Sequence, residues 1–133
     1  MATKQYIEAI GRRKTATARV RISKAKDQRI IVNEKPIAEY FYAATLQKNI
    51  LAVLEMENIG IDTYEISAKV EGGGLSSQSD AIKLGIARAL VKEKIDRRIP
   101  LKRAGFLKRD PRAVERKKFG LLKARKKPQW AKR

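Results

Sequence analysis

The sequence contains neither cysteine nor histidine. Without cysteine there is no disulfide framework and no thiolate metal site. Without histidine the commonest general acid–base and the commonest metal ligand are both missing. Hydrolytic and zinc chemistry are therefore poor readings, and no cofactor is expected. Long apolar runs are absent too, so nothing in the chain approaches the length of a membrane span. The first residues, Met1-Ala2-Thr3-Lys4-Gln5, hold no apolar signal region and lead straight into a strand-like pattern. The expectation is a soluble protein that works in the cytoplasm-like compartment where it is made.

Acidic residues are also scarce, 14 against 32 basic ones, which leaves a net charge of +18 on 133 residues. A field of that size attracts polyanions, nucleic acid first among them. The length allows one domain with a modest core. The excess charge is unevenly placed. Residues 1–100 hold 18 basic and 12 acidic side chains, a net of +6. Residues 101–133 hold 14 basic side chains against Asp110 and Glu115 alone, a net of +12. This break near Pro100 to Pro111 predicts a globular body over residues 1–107 and a basic tail over residues 108–133.

In the body, Ala16, Ala18, Val20 and Ile22 alternate with Thr17, Arg19 and Arg21, the period of a half-buried strand with a basic outer face. Ile30-Ile31-Val32 reads as a second strand closed by the turn-like Asn33-Glu34-Lys35-Pro36. Leu46, Ile50 and Val53 recur at helical spacing, with Gly60 as a stop. Tyr64, Ile66, Ala68 and Val70 give a third strand. After Gly72-Gly73-Gly74 the spacing predicts the longest helix, about Ser76 to Ile95. Its two apolar stripes, Leu75, Ile82, Ile86 and Ala89 on one side and Leu84, Val91 and Ile95 on the other, predict burial on two sides. The order strand, strand, helix, strand, helix points to a small two-layer α+β domain.

Three stretches carry candidate binding residues. Gly11-Arg12-Arg13-Lys14-Thr15 reads as a basic turn before the first clear strand, and Arg12, Arg13 and Lys14 with Arg19 and Arg21 make a positive patch suited to phosphates. A run of charge is otherwise a solvated face. In the glycine turn, Gly73 and Gly74 present bare amides at a helix start, where a phosphate or a close backbone fits. It completes no phosphate loop and no dinucleotide fingerprint, so no small-molecule substrate is expected. Glu71 and Asp80 flank it, but a carboxylate in a first helical turn is explained by the helix dipole.

The tail carries the strongest signal. Lys108, Arg109, Arg112, Arg116, Lys117, Lys118, Lys123, Arg125, Lys126 and Lys127 are interrupted by isolated apolar residues, with Phe119 and Trp130 free to stack on bases. It lacks an amphipathic face for a membrane. Too apolar-poor to build a core, it should be extended when alone, with a reach of roughly 80–90 Å for 26 residues.

These residues resemble those of the family of the ninth protein of the small ribosomal subunit, in its bacterial form. The resemblance runs through Ile10-Gly11-Arg12-Arg13-Lys14-Thr15-Ala16, then Gly72-Gly73-Gly74, Gln78 and Ala81 to Leu90. It continues through Asp110-Pro111-Arg112 and Glu115-Arg116-Lys117-Lys118 to the terminal Lys132-Arg133. Ser77 and Ser79 stand where that family often has Gly and Ala, and Trp130-Ala131 where Phe-Ser is more usual. The resemblance implies an α+β fold like the second domain of the fifth small-subunit protein, with a left-handed βαβ crossover. It further implies a body on ribosomal RNA in the subunit head, beside neighbouring head proteins, and a tail whose Lys132 and Arg133 approach transfer RNA in the peptidyl site. On that reading the protein is a cytoplasmic ribosome component and not an enzyme. Two other classes compete with it: a free-standing nucleic-acid chaperone, and a small-molecule kinase, for which the phosphate loop is lacking.

Overall fold

Alternating side chains set the architecture. In the computed structural model, which describes residues 4–56 and 63–132, five strands form one sheet. They are β1 (Ile7–Arg13), β2 (Ala16–Lys24), β3 (Arg29–Val32), β4 (Lys35–Pro36) and β5 (Tyr64–Glu71). Every apolar residue assigned to an inner face by its period of two is buried: Ala16, Ala18, Val20 and Ile22 on β2, and Tyr64, Ile66, Ala68 and Val70 on β5. Thr17, Arg19, Ser67 and Lys69 face outward on the same strands. The sheet is thus covered on one face and open on the other, as a two-layer α+β domain requires.

The cover is helical. Helix α3 (Leu75–Glu93) packs chiefly on β1 and β2, with α2 (Ala44–Leu51) lying against it. Its two-sided apolar pattern is realised: Ile82, Ile86 and Ala89 are fully buried, and so is Leu84 at 4% exposure. Ile95 is the exception. It lies beyond the helix in a 3-10 turn (Ile95–Arg97) and is 68% exposed. The helix ends two residues before the expected limit. Short helices α1 (Ile37–Tyr40) and α4 (Arg98–Arg103) complete the body, and Leu101 of α4 is fully buried. The expected helix stop at Gly60 lies outside the described residues.

Two corrections concern β1 and β4. Gly11, Arg12 and Arg13 belong to β1, paired antiparallel with β2. Only Lys14 and Thr15 make the turn, with Lys14 at φ +51°. Lys35 and Pro36, read as part of a turn, form β4, and the hairpin turn is Asn33-Glu34, both at positive φ as a tight two-residue connection demands. A glycine stands inside β1 because the strand closely approaches α3. A Cβ there would sit 1.8 Å from the Ala81 carbonyl oxygen and 2.5 Å from the Gly85 nitrogen. Glycine lets the helix lie directly on the strand.

The order across the sheet is β1-β2-β5-β3-β4. Strand β5 inserts between β2 and β3, antiparallel to the first and parallel to the second. The parallel β3–β5 pair is joined through β4, α1 and α2. At the β1 edge, Arg88 donates to the Ile10 carbonyl at 2.7 Å and Lys92 to the Glu8 carbonyl at 2.8 Å. These cations cap edge acceptors that would otherwise invite another strand.

Candidate nucleic-acid interface

Three groups of cations emerge once the strands are in register. On the open sheet face, Arg19 stands opposite Lys69 on β5 and Arg12 opposite Thr17. Arg21 lies on the same face, its guanidinium 4.6 Å from the centre of the Tyr6 ring. Glu8 holds Arg19 at 3.1 Å and Arg21 at 2.9 Å, fixing two flexible cations side by side on β2. Positions two apart on a strand are about 6.6–6.8 Å from each other. An ordered cation row of this spacing suits successive negative charges on a polymer. Lys69 was not singled out from the sequence. Its outward phase was visible in the β5 alternation, but its place beside Arg19 depends on strand order.

The second group surrounds the glycine turn. Gly72 and Gly73 take φ of +76° and +63° and abut the β1–β2 turn, so that a Cβ on Gly72 would lie 2.6 Å from the Thr15 carbonyl oxygen. Lys14, Gly73 and Gly74, all exposed, are thereby brought to one end of the sheet. Gly74 is the N-cap of α3, and no side chain caps that end, so the first helix amides remain available to an acceptor. The turn is held from behind by Gln78, whose amide donates to the Gly72 carbonyl at 2.9 Å and accepts from the Tyr40 hydroxyl at 2.7 Å. The two serines noted in the sequence are buried here. Ser79 donates to the Leu46 carbonyl at 3.1 Å and accepts from Asn49 at 3.0 Å, tying α3 to α2.

The third group is the tail. Residues 108–132 contain no helix or strand, and Lys108, Arg109, Arg112, Arg116, Lys117, Lys123, Arg125, Lys126, Lys127 and Lys132 are exposed. Phe119 is 97% and Trp130 79% exposed, leaving both rings open for stacking. Arg133 lies outside the described residues.

Arg13 stands apart from its neighbours. Its guanidinium pairs with Asp80 on α3 and lies 3.4 Å from Asp110 at the tail base. Asp110 also accepts from Arg112, from the guanidinium at 2.8–3.0 Å and from the backbone N–H at 3.0 Å. Those hydrogen bonds, the side-chain ones foremost, hold the Asp110 carboxyl well below the usual carboxylate range. Beside them, Lys83 donates to Asn49 at 2.9 Å and sits 6.0 Å from the centre of the Phe106 ring. Arg13 is therefore a link between body and tail, half-buried and already paired, while Arg12 and Lys14 on either side are exposed.

The tail is not stretched throughout. Glu115 pairs with Lys118 and, ten residues on, with Arg125 at 2.9 Å. The Leu122 N–H donates to the Lys126 carbonyl at 2.8 Å, and Gly120 at φ +74° makes the turn between. Residues 115–126 fold back on themselves, because one carboxylate in a field of cations gathers them. Hydrogen bonds from Lys118 and Arg125 lower the Glu115 pKa from its ordinary value.

One further charged cluster lies away from these groups. Arg97 is 3% exposed and donates to Glu93 at 2.7 Å and to the Tyr64 hydroxyl at 3.0 Å. Burial and the Glu93 bond push the Tyr64 pKa up to about 12, so it stays neutral. Burial alone would raise Glu93, but the Tyr64 and Arg97 hydrogen bonds outweigh it and leave its pKa lowered. Every member is satisfied by another, which is the pattern of a structural tie between β5, α3 and the 3-10 turn. Among the described residues no cluster of carboxylates is suited to a metal ion, and no helix is long and apolar enough to cross a membrane.

A chain named small ribosomal subunit protein uS9 from Synechococcus sp. (strain JA-3-3Ab) is 50% identical over 125 residues, covering 92% of this chain and 89% of that one. The protein of the same name from Trichormus variabilis (strain ATCC 29413 / PCC 7937) is 50% identical over 126 residues, covering 92% and 88%. The family model described as ribosomal protein S9/S16 matches residues 11–133, spanning both the sheet and the tail. The chain belongs to the ribosomal protein S9/S16 family, a family of ribosomal proteins and not of enzymes.

Proposed function

We propose that this protein is a structural constituent of the small ribosomal subunit that binds ribosomal RNA in the subunit head. The observation that carries the reading is the segregation of charge. Residues 101–133 hold a net +12, and from residue 108 onward they expose nearly every cation without contributing a core. An isolated protein gains nothing from such repulsion, whereas RNA that wraps the arm releases counterions for each phosphate neutralised. The names of the relatives supply the same assembly.

On this reading the body, residues 1–107, lies on RNA through Arg12, Lys14, Arg19, Arg21 and the Gly73–Gly74 turn, with Arg13 joining them if RNA displaces its carboxylates. The tail, residues 108–133, threads between RNA segments, and Lys132 with Arg133 touches transfer RNA in the peptidyl site. Neighbouring head proteins flank the body. The β3–β5 unit is the crossover whose left-handed winding the resemblance implies, and the site of action is the ribosome in the cytoplasm.

Sedimentation tests this. The native protein should travel with the small subunit and stay on it through moderate-salt washing. A nucleic-acid chaperone with the same charge would be spread through the gradient and wash off.

A further inference from the structure

The tail, residues 108–133, has a net charge of +10 and contains only two acidic residues, Asp110 and Glu115, and neither is solvated on its own. Asp110 sits between Arg112 of the tail and Arg13 of the body. Arg13 in turn reaches Asp80 on α3, and Asp80 accepts from Asn49 at 2.6 Å. The tail is therefore tied to β1, α3 and the α2 region at residue 110. Glu115 closes the loop over residues 115–126 through Lys118 and Arg125, with Leu122 and Lys126 bonded across it and Gly120 turning it. Its recorded partners all belong to the tail.

We propose that Asp110 and Glu115 are positioning residues for RNA binding: they order the tail cations before RNA arrives, so that these two negative charges strengthen the grip on a polyanion. The proposal rests on the reading that the tail binds RNA. Its physical basis is the ordering cost. A flexible arm must fix many rotatable bonds when it is bound, and each bond already fixed in the free protein lowers that cost. Arg112 held in a fork and Arg125 drawn toward Lys118 present cations at set separations instead of sampling many. The lowered pKa values of both carboxylates fit groups kept charged by standing contacts.

Simple electrostatics predicts the opposite sign, which makes the proposal testable. Removing one negative charge from a protein of +18 should tighten RNA binding at every salt concentration if Asp110 and Glu115 merely repel phosphate. Positioning predicts a loss. Gly120→Ala gives a charge-silent version: no atom lies within 4 Å of a Cβ there, so nothing clashes, but φ of +74° disfavours alanine and the loop should loosen.

The experiment is filter binding of purified small-subunit ribosomal RNA by the full-length chain at two salt concentrations. The variants are Glu115→Gln, Gly120→Ala, Asp110→Asn and, as a reference for the tail, Lys126→Gln with Lys127→Gln. Thermal unfolding of the body is measured alongside. Expected are affinities about twofold to fivefold weaker for Glu115→Gln and Gly120→Ala. The body should unfold at an unchanged temperature, because Glu115 and Gly120 touch only the tail. Asp110→Asn should weaken binding too. Binding by Glu115→Gln as tight as wild type or tighter, with the double lysine variant weaker, overturns the positioning role and leaves tail binding intact. An unaltered double lysine variant removes the tail-binding reading, and the proposal with it.

Discussion

Body and tail solve opposite problems with the same side chains. In the body, several cations are held by partners: Arg97 by Glu93 and Tyr64, Arg13 by Asp80 and Asp110, Arg21 by Glu8. Arg88 and Lys92 are directed at backbone carbonyls of the edge strand. In the tail most cations are exposed, and the two carboxylates gather only a few. The comparison teaches that charge type says little about role. Burial separates a structural arginine from a binding one here: Arg97 is enclosed, whereas Arg19, Arg21 and Arg112 keep carboxylate partners and still reach the surface.

The sharpest way to break the comparison is to remove the arm. A chain ending at Arg109 loses ten basic residues. If six of them neutralise phosphates, the slope of log affinity against log salt should fall by about 4–5 units. Limited trypsin digestion of the full chain should make the same division, leaving a fragment that ends near Lys108 or Arg109. A truncated chain with the full-length slope would assign RNA binding to the body patch of Arg12, Lys14, Arg19 and Arg21.

Within the body the largest expected effect is at Gly11. Gly11→Ala places a Cβ against the backbone of α3 at Ala81 and Gly85, and neither can yield cheaply. Overpacking of this kind should cost about 3 kcal/mol or more, read as a drop in the unfolding midpoint. RNA affinity of the fraction still folded should change little, since Gly11 faces the helix. A normal midpoint would mean that α3 does not lie so close to β1.

Glu93→Gln comes next. It leaves Arg97 buried without its countercharge, at a cost of about 2–3 kcal/mol for a pair with slight solvent access. The pH dependence follows from the lowered Glu93 pKa. A carboxyl with a folded value below its ordinary 4.5 contributes its full stability above that pH and loses it as pH falls through the folded value. Thermal unfolding should thus show an acid-dependent loss below about pH 4.5 that is smaller in Glu93→Gln. Equal pH profiles would remove Glu93 from the account. The tail, with no core to lose, should be indifferent to this substitution.

A modest effect is expected at the tip. Ending the chain at Ala131 removes Lys132 and Arg133 while the anchoring cations upstream remain. Binding of deacylated transfer RNA to purified subunits should weaken about threefold to tenfold, since water-screened contacts contribute little each. Subunit assembly should be unaffected. Equal transfer RNA affinities across salt concentrations would show that the tip makes no such contact.

Much of this was legible in advance, and the misses have physical causes. The alternations in β2 and β5 named their buried residues because a pleated strand exposes every second side chain. Gly11 to Arg13 were misread as a turn because a glycine and two arginines resemble a loop. The glycine was needed for helix contact, and the signal available was Gly85, a second glycine inside a helix. The tail was read as wholly extended because composition counts charges without pairing them. Glu115 meets Arg125 only after Gly120 turns the chain.

Local periodicity and composition by themselves determined which face of each strand is buried, that α3 is covered on two sides, and that the basic tail from residue 108 onward builds no core. These depend on neighbours a few residues apart. Tertiary structure alone decided that β5 lies between β2 and β3, so that Lys69 joins Arg19 and the glycine turn meets Lys14. It also decided that Arg13, between two exposed cations, is bound to Asp80 and Asp110. Those outcomes depend on pairing between segments 36 or more residues apart, for which the chain carries no local period.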